Sequence, residues 1–172
     1  KPFTVASALE SGQFDMRSII DTNPGYVRVS GFPIRDNENL GEVDLATIIA
    51  KSSNVGASKL ALELEPEQLW DVFQRVGFGR PTGSGFPGEA TGVLRDYSQW
   101  YELDRATLAF GYGFSVTALQ LAEAYSVIAA DGVAHPITFL SSDHKESGER
   151  ALDKDTARMI RRMMRTVVEP EG

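Results

Sequence analysis

A helix-rich α+β fold is predicted for this sequence, on three observations. Apolar residues recur at helical spacing in stretches along the whole chain. Only one segment alternates cleanly enough to be a β-hairpin. Strands and helices never alternate in the rhythm that builds a parallel sheet, so a helical lobe attached to an antiparallel sheet whose strands are mostly supplied elsewhere fits the pattern. The 172 residues suit one domain or a large piece of one, and a hydrophobic share of 42% is enough to bury a core.

Taken in order, Phe3, Val5, Ala6, Ala8 and Leu9 followed by Ser11-Gly12 predict a short helix over 2–10. Pro2 suits only a first turn, and the helix is expected to begin a few residues before Lys1. Residues 26–35 alternate and turn at Ser30-Gly31, which predicts a hairpin, with Pro33 marking an edge strand. A helix is expected over 44–51 with Asp44 as its N-cap. Two more are expected over 55–64 and 67–76, separated by Pro66 and closed by Gly77 and Gly79. Residues 79–95, rich in Gly and Pro, form an irregular connection. Thr117-Ala118-Leu119-Gln120 is a capping box that opens a long helix to Ala130, closed by Asp131-Gly132. Residues 136–140 read as a strand, and 153–168 as a last amphipathic helix capped by Asp153.

Composition excludes several functions. The net charge of -7 and a pI near 4.9 repel a phosphate backbone, so no nucleic-acid partner is expected. Arg158, Arg161, Arg162 and Arg165 alternate at helical spacing with Met159, Ile160, Met163 and Met164, the pattern of a solvated face over a core stripe. With no cysteine there is no disulfide framework or thiolate metal site, and His135 and His144 have no second ligand at metal spacing. No metal and no cofactor are expected. No apolar run approaches the ~18 residues of a membrane span, and no signal peptide is visible. Lys1 without an initiating Met, and the ending Glu169-Pro170-Glu171-Gly172, read as cuts in a longer chain.

The chemistry-bearing segment is Lys51-Ser52-Ser53-Asn54-Val55-Gly56, where one helix ends and another begins. Residues two apart in a non-helical connection can project the same way, so Ser52 and Asn54 can present a hydroxyl and an amide to one cleft. Such a pair can shuttle a proton and hold a peptide carbonyl. Ser and Asn are also ordinary helix N-caps, and on local chemistry alone that reading is the stronger one.

The stretch from Lys51 through Ala61 resembles the S-x-N segment of penicillin-binding transpeptidases, and Arg105–Ala122, containing Phe110-Gly111-Tyr112-Gly113, resembles another of their segments. The family's catalytic set is S-x-x-K, S-x-N and K-T/S-G. Ser53 in the middle of the second motif is common in class B enzymes of the division type, and that is the group this chain resembles. Lys1-Pro2-Phe3 resembles the residues that come just after the family's nucleophile. The resemblance therefore makes Lys1 the motif lysine, places the serine three residues before it, and places the K-T/S-G strand beyond Gly172. The 172 residues would be a partial transpeptidase domain of the serine β-lactamase-like fold. Serine and lysine one helical turn apart share a face, and a lysine kept neutral by neighbouring positive charge and partial burial could take the serine's proton.

The implied activity is D,D-transpeptidation: acyl transfer at the D-Ala-D-Ala end of a stem pentapeptide in septal peptidoglycan, with β-lactams trapping the same serine. Lys1, Ser52 and Asn54 are the implied catalytic residues, and Ser53, Tyr112 and Gly113 the implied substrate-binding ones. The family works beside glycan-polymerising and other division proteins on the periplasmic side of the inner membrane, held by an N-terminal helix. Ala118 departs from the family's usual Pro. Ser142-Asp143-His144-Lys145 also fits S-x-x-K, but in the wrong order and in a polar stretch, and reads as a surface loop. Glu89, in Gly85-Phe86-Pro87-Gly88-Glu89, is not read as a deacylating base, since no Glu-x-x-Leu-Asn of the class A β-lactamases occurs. Two alternatives stay open: a carboxypeptidase or serine β-lactamase of the same fold, and a catalytically silent scaffold with no serine before Lys1.

Overall fold

The structure, a computed structural model, describes residues 1–140 and 147–169. In chain order the elements are α1 (Pro2–Glu10), β1 (Ile19–Asp21), β2 (Tyr26–Val29), β3 (Phe32–Arg35), β4 (Glu42–Asp44), α2 (Leu45–Ala50), α3 (Asn54–Glu63), α4 (Pro66–Arg75), α5 (Glu102–Leu108), α6 (Ala118–Ala129), β5 (Val133–Ala134), β6 (Glu149–Arg150) and α7 (Lys154–Thr166). A single 3₁₀ turn, Tyr97–Gln99, precedes α5. The strands pair antiparallel as β1 with β4, β2 with β3, and β5 with β6. The fold is α+β and helix-dominated, as its sequence predicts.

The central element is α1. Every residue from Phe3 to Leu9 is buried, so the helix has no solvent face, and it packs against α3, α4 and α7. Ala6, Ser7 and Ala8 are small enough to let neighbouring helices approach from several sides. Its two buried hydroxyls are satisfied: Thr4 donates to the Ala109 carbonyl at 2.7 Å and Ser7 to the Phe3 carbonyl at 3.0 Å, as burial of a polar group requires. An aromatic cluster closes one side, with Phe3 edge-on to Phe78 at 5.1 Å and to Tyr125 at 5.2 Å, and Phe114 against both Phe73 and Phe78. Complete burial of side chains such as Leu45, Leu60, Leu69 and Ile160 contributes about 1.5–3 kcal/mol each.

Helix α7 turns Thr156, Ala157, Ile160 and Met163 inward at helical spacing. Its arginines do more than face water. Arg158 and Arg161 both pair with Asp131, and Arg161 donates to the Ala129 carbonyl at 2.9 Å, closing the C-terminus of α6. Arg162 and Arg165 are exposed. The hairpin β2–β3 turns at Ser30 and Gly31, both with positive φ (48° and 86°), the conformation of a two-residue type I′ connection. Asp44 caps α2 by accepting from the Thr47 N–H at 2.8 Å, and Thr117 and Gln120 form the expected capping box on α6. Ala118 occupies the first position of α6, where proline and any good helix former both fit.

Some expectations need correction. Residues 136–140 are not a strand; the pairing in that region is Val133–Ala134 with Glu149–Arg150. Pro136 brings no N–H to a ladder, and the chain leaves the pairing just before it. The third and fourth helices begin at Asn54 and Pro66, one residue earlier than expected, with Glu65 and Gln68 forming a capping box around Pro66. Helix α5 and the β1–β4 pair are not foreseen by the sequence pattern. Ser142-Asp143-His144-Lys145 and the terminal Pro170–Gly172 lie outside the described residues. Among the described residues no helix is long and apolar enough to cross a membrane, and no group of ligand-type side chains could hold a metal ion.

Candidate functional site

The site assembles where the N-terminus of α1, the α2–α3 connection and the loop after α5 meet. Helix α2 ends at Ala50. Ser52 then takes a left-handed backbone, φ 56°, while the Ser53 N–H donates back to the Ile48 carbonyl at 3.0 Å. This closure normally carries glycine. A serine there costs about 1 kcal/mol or more of backbone strain, and the strain turns its hydroxyl outward rather than into a cap.

The cap of α3 is Ser53. Its Oγ accepts from the Gly56 N–H at 2.8 Å and donates to Asp36 Oδ2 at 2.6 Å. The other Asp36 oxygen accepts from the Asn54 and Val55 N–H groups at 2.5 and 3.0 Å. A carboxylate brought from the end of β3 thus sits on the positive end of α3 and ties the hairpin to the α2–α3 connection. Ser53 is 1% exposed and both lone-pair and proton are committed. Its expected contact with substrate is therefore withdrawn; it is a structural cap. Gly56 is needed for this arrangement, since a Cβ there would lie 2.7 Å from Ile48 Cγ1.

Lys1, at the N-cap of α1, reaches across to donate from Nζ to Ser52 Oγ at 2.9 Å. The ammonium also lies 5.9 Å from the centroid of the Phe110 ring. Burial pushes Lys1 below the usual lysine range, and the Asp36 carboxylate opposes that shift. Among the described residues the lowering comes from desolvation, in line with the partial burial expected, and the Asp36 charge acts against it.

Asn54 is the first residue of α3, and its Nδ2 donates to the Arg35 carbonyl at 3.2 Å. It faces a cavity of about 380 Å³ whose walls include Arg35, Phe32, Phe110 and Tyr112. Lys1 and Ser52 instead line a separate cavity of about 470 Å³ bounded by Phe110, Tyr125, Met164 and Val168. Phe110 is the wall common to both. Ser52 and Asn54 both line a small polar recess of about 100 Å³, beside Asp36 and Lys51. Among the described residues Lys1 is hydrogen-bonded to Ser52, while the Asn54 amide is turned to the Arg35 carbonyl.

The loop carrying Phe110 and Tyr112 is held by α5. Arg105 donates to the Leu62 and Leu64 carbonyls at the end of α3, Ser58 of α3 donates to the Ala106 carbonyl, and Thr4 of α1 to that of Ala109. Gly111, at φ 103°, lets the Tyr112 N–H close on the Thr107 carbonyl at 3.1 Å. Tyr112 stands 70% exposed over the Asn54 cavity, edge-on to Phe110 at 5.7 Å, and Gly113 comes next at φ 86°. Glu89 is remote in role: its carboxylate accepts from the Thr82 N–H and the Ser84 hydroxyl of its own loop. Sequence reasoning misses Asp36 and Phe110. Asp36 looks like any loop acid, and Phe110 like any apolar residue after a helix.

This constellation can hold a poised amine against a hydroxyl, with an amide and aromatic walls in the next cavity. The sequence profile of the family described as penicillin binding protein transpeptidase domain matches residues 1–172. The chain is 38% identical to the probable peptidoglycan D,D-transpeptidase PenA of Neisseria meningitidis, covering 100% of this chain and 29% of that protein. It is 37% identical to the peptidoglycan D,D-transpeptidase FtsI of Escherichia coli, again over 100% of this chain and 29% of the relative. The apo structure of the TP domain from Burkholderia pseudomallei penicillin-binding protein 3 superposes with a TM-score of 0.95 at 39% identity, covering 100% of this chain and 53% of that one. The chain thus spans less than a third of the length of these curated relatives.

Proposed function

Because this chain belongs to the penicillin-binding protein transpeptidase domain family, we propose that the protein carrying it is a serine-type peptidoglycan D,D-transpeptidase of the cell-division kind and a target of β-lactams. The reading is carried by the 2.9 Å contact between a lysine depressed by burial and the hydroxyl of Ser52.

In this reading the nucleophilic serine lies three residues before Lys1. Its Oγ attacks the carbonyl of the penultimate D-Ala and gives its proton to the neutral Lys1 Nζ. The C–N bond to the terminal D-Ala then breaks, leaving a serine ester. Lys1, now an ammonium, passes a proton through Ser52 Oγ to the departing amine, a relay that the observed hydrogen bond prepares. An amine from a neighbouring stem attacks the ester, loses its proton along the reverse route, and restores the serine. Burial lowers the basicity of Lys1, the direction that enlarges its neutral fraction. Asn54, held by the Arg35 carbonyl, would orient the donor peptide's amide, and Tyr112 and Gly113 would line the groove that receives it. A K-T/S-G strand C-terminal to this segment would complete the pocket. The parent protein would work on the periplasmic side of the inner membrane, anchored outside this segment, beside a glycan-polymerising partner and other division proteins.

Lys1→Arg tests the assignment in the full-length protein. Arginine keeps the charge but cannot accept a proton at these pH values. Acylation by a fluorescent penicillin should fall by roughly 10²- to 10⁴-fold. Equal acylation by wild type and variant would refute Lys1 as the base.

A further inference from the structure

The half-buried amine of Lys1 has no direct counter-ion: among the described residues no carboxylate lies within ion-pairing distance of its Nζ. Asp36, the charge that acts on it, spends both oxygens on the Ser53 hydroxyl and the first turn of α3. The amine instead meets the Ser52 hydroxyl at 2.9 Å and the Phe110 ring, whose centroid is 5.9 Å away. Among the described residues this is the one ring in such reach of a lysine. Attraction of a cation to an aromatic face extends to about 6 Å from the centroid and strengthens as the pair loses water. The ring is held in place. Phe110 N–H donates to the Thr107 carbonyl at 3.2 Å, Tyr112 meets the ring edge-on at 5.7 Å, and the side chain packs against both the main core and the smaller cluster of Val29, Ile34 and Ala106. Thr4, one turn along α1 from Lys1, holds the Ala109 carbonyl at 2.7 Å, so the helix that presents the amine is also fastened beside the ring. The other titratable groups around the amine are Tyr125 of α6, in the same cavity, and Lys51 and Glu38, in the recess that Ser52 also lines; α7 contributes only the apolar Met164, Val167 and Val168.

We propose that Phe110 is a positioning residue for Lys1: its ring keeps the amine beside Ser52 and stabilises the ammonium that forms when Lys1 takes the serine's proton. The inference rests on the transpeptidase reading and deepens it. Phenylalanine has no proton to give or take, so it acts only through the amine. An aliphatic side chain of the same size would exclude water equally well but would present no negative face to the charge. The ring therefore leaves Lys1 a stronger base than burial alone would, and a stronger base draws the serine's proton faster once it is neutral.

The test replaces Phe110 in the full-length protein by phenylalanines carrying one, two and three ring fluorines, which keep the ring's shape while draining its negative face. The acylation rate with a fluorescent penicillin is followed between about pH 5 and 9. Weaker support of the ammonium lowers the pKa of Lys1, so the acid limb should move to lower pH, by about half a pH unit over the series. The weaker base should also lower the alkaline plateau, by about twofold. The profiles then cross: fluorinated proteins are faster than wild type below the limb and slower above it, whereas damaged packing slows acylation at every pH. The same series at Phe73, in the aromatic cluster of the core, should leave the limb in place. A limb that stays put or moves upward on fluorination of Phe110, or that moves equally on fluorination of Phe73, overturns the positioning role. Labelling of the wild type separates the two levels of inference: labelling with an immobile limb sinks the role of Phe110 alone, and failure to label sinks the enzymatic reading and that role with it.

Discussion

Replacing Asp36 by alanine should unfasten the site without touching any group assigned to proton transfer. The carboxylate accepts three hydrogen bonds, at 2.6 Å from Ser53 Oγ, 2.5 Å from the Asn54 N–H and 3.0 Å from the Val55 N–H. Hydrogen bonds to an ionised acceptor contribute roughly 1.5–3 kcal/mol each when fully effective. Asp36 is half-buried, water can replace part of what is lost, and removal of a helix N-cap alone costs about 0.5–2 kcal/mol. The expected loss is therefore about 2–3 kcal/mol, or a fall of roughly 5–10 °C in Tm for a domain of this size. Asp36→Asn keeps the shape and one accepting oxygen, and should lose about half as much. A second effect has a definite sign. Asp36 is the charge that holds the Lys1 pKa up against burial. Its removal lowers that pKa further, enlarges the neutral fraction of Lys1 at a given pH, and moves the acid limb of the acylation profile to lower pH. Calorimetry, on the transition that shifts on penicillin labelling, reads the first effect, and the acylation rate between about pH 5 and 9 reads the second. A Tm unchanged in Asp36→Ala, or an acid limb displaced upward, would refute the reasoning.

Ser52→Gly should raise stability by about 0.4–1 kcal/mol, because glycine accepts the left-handed backbone at φ 56°, and should lower peptide cross-linking by roughly 10²-fold or more through loss of the relay; a melt and a turnover assay on one preparation show whether the two effects part company. Gly56→Ala drives a Cβ to 2.7 Å from Ile48 Cγ1 and should cost about 1–3 kcal/mol of stability; a neutral melt would mean that α2 and α3 can separate freely. Gln120, fully buried, donates to the Arg80 and Thr91 carbonyls at 2.6 Å each, so Gln120→Leu leaves both unpaired, should lower stability by about 2–4 kcal/mol, and should expose residues 79–95 to proteolysis before the core; uniform proteolysis would contradict that order.

Much of the helical frame is written locally. The box at Thr117 and Gln120, the cap at Asp44 and the inward stripe of α7 each satisfy their own backbone or core demand within one or two turns, so a short window suffices to see them. The β1–β4 pair is invisible at that range, because Ile19 and Asp44 become partners only after the intervening hairpin folds. Helix α5 escapes a sequence reading because its seven residues are too few to show a period; Arg105 and Ser58 secure it to α3 from a distance. The apolar run Pro136–Leu140 suggests a strand by composition, but its first residue cannot join a ladder. At the site, Ser52, Ser53 and Asn54 are all good cap residues, and nothing local tells which one caps. The decision lies with Asp36, which claims Ser53 and frees Ser52. Partial burial of the lysine is suggested by the sequence, but not its surroundings, because Ile49, Ser52, Phe110, Met164 and Val168, which share a cavity with Lys1, come from distant parts of the chain.

The placement of Lys1 on a helix without a solvent face has a consequence for how the protein can vary. Amide exchange in Val5–Leu9 should require opening of the whole domain rather than fraying of one element, so the amine at the N-cap of α1 has no cheap excursion available to it. Under the proposed function, drift in substrate preference, or evasion of an inhibitor, is expected at the margins of the site: the Phe110–Gly113 loop, the β2–β3 hairpin and the C-terminal end of α7. The lysine is the fixed datum against which those margins vary, and an inhibitor that draws its affinity from the Lys1–Ser52 contact engages the part of the site with the fewest ways to change.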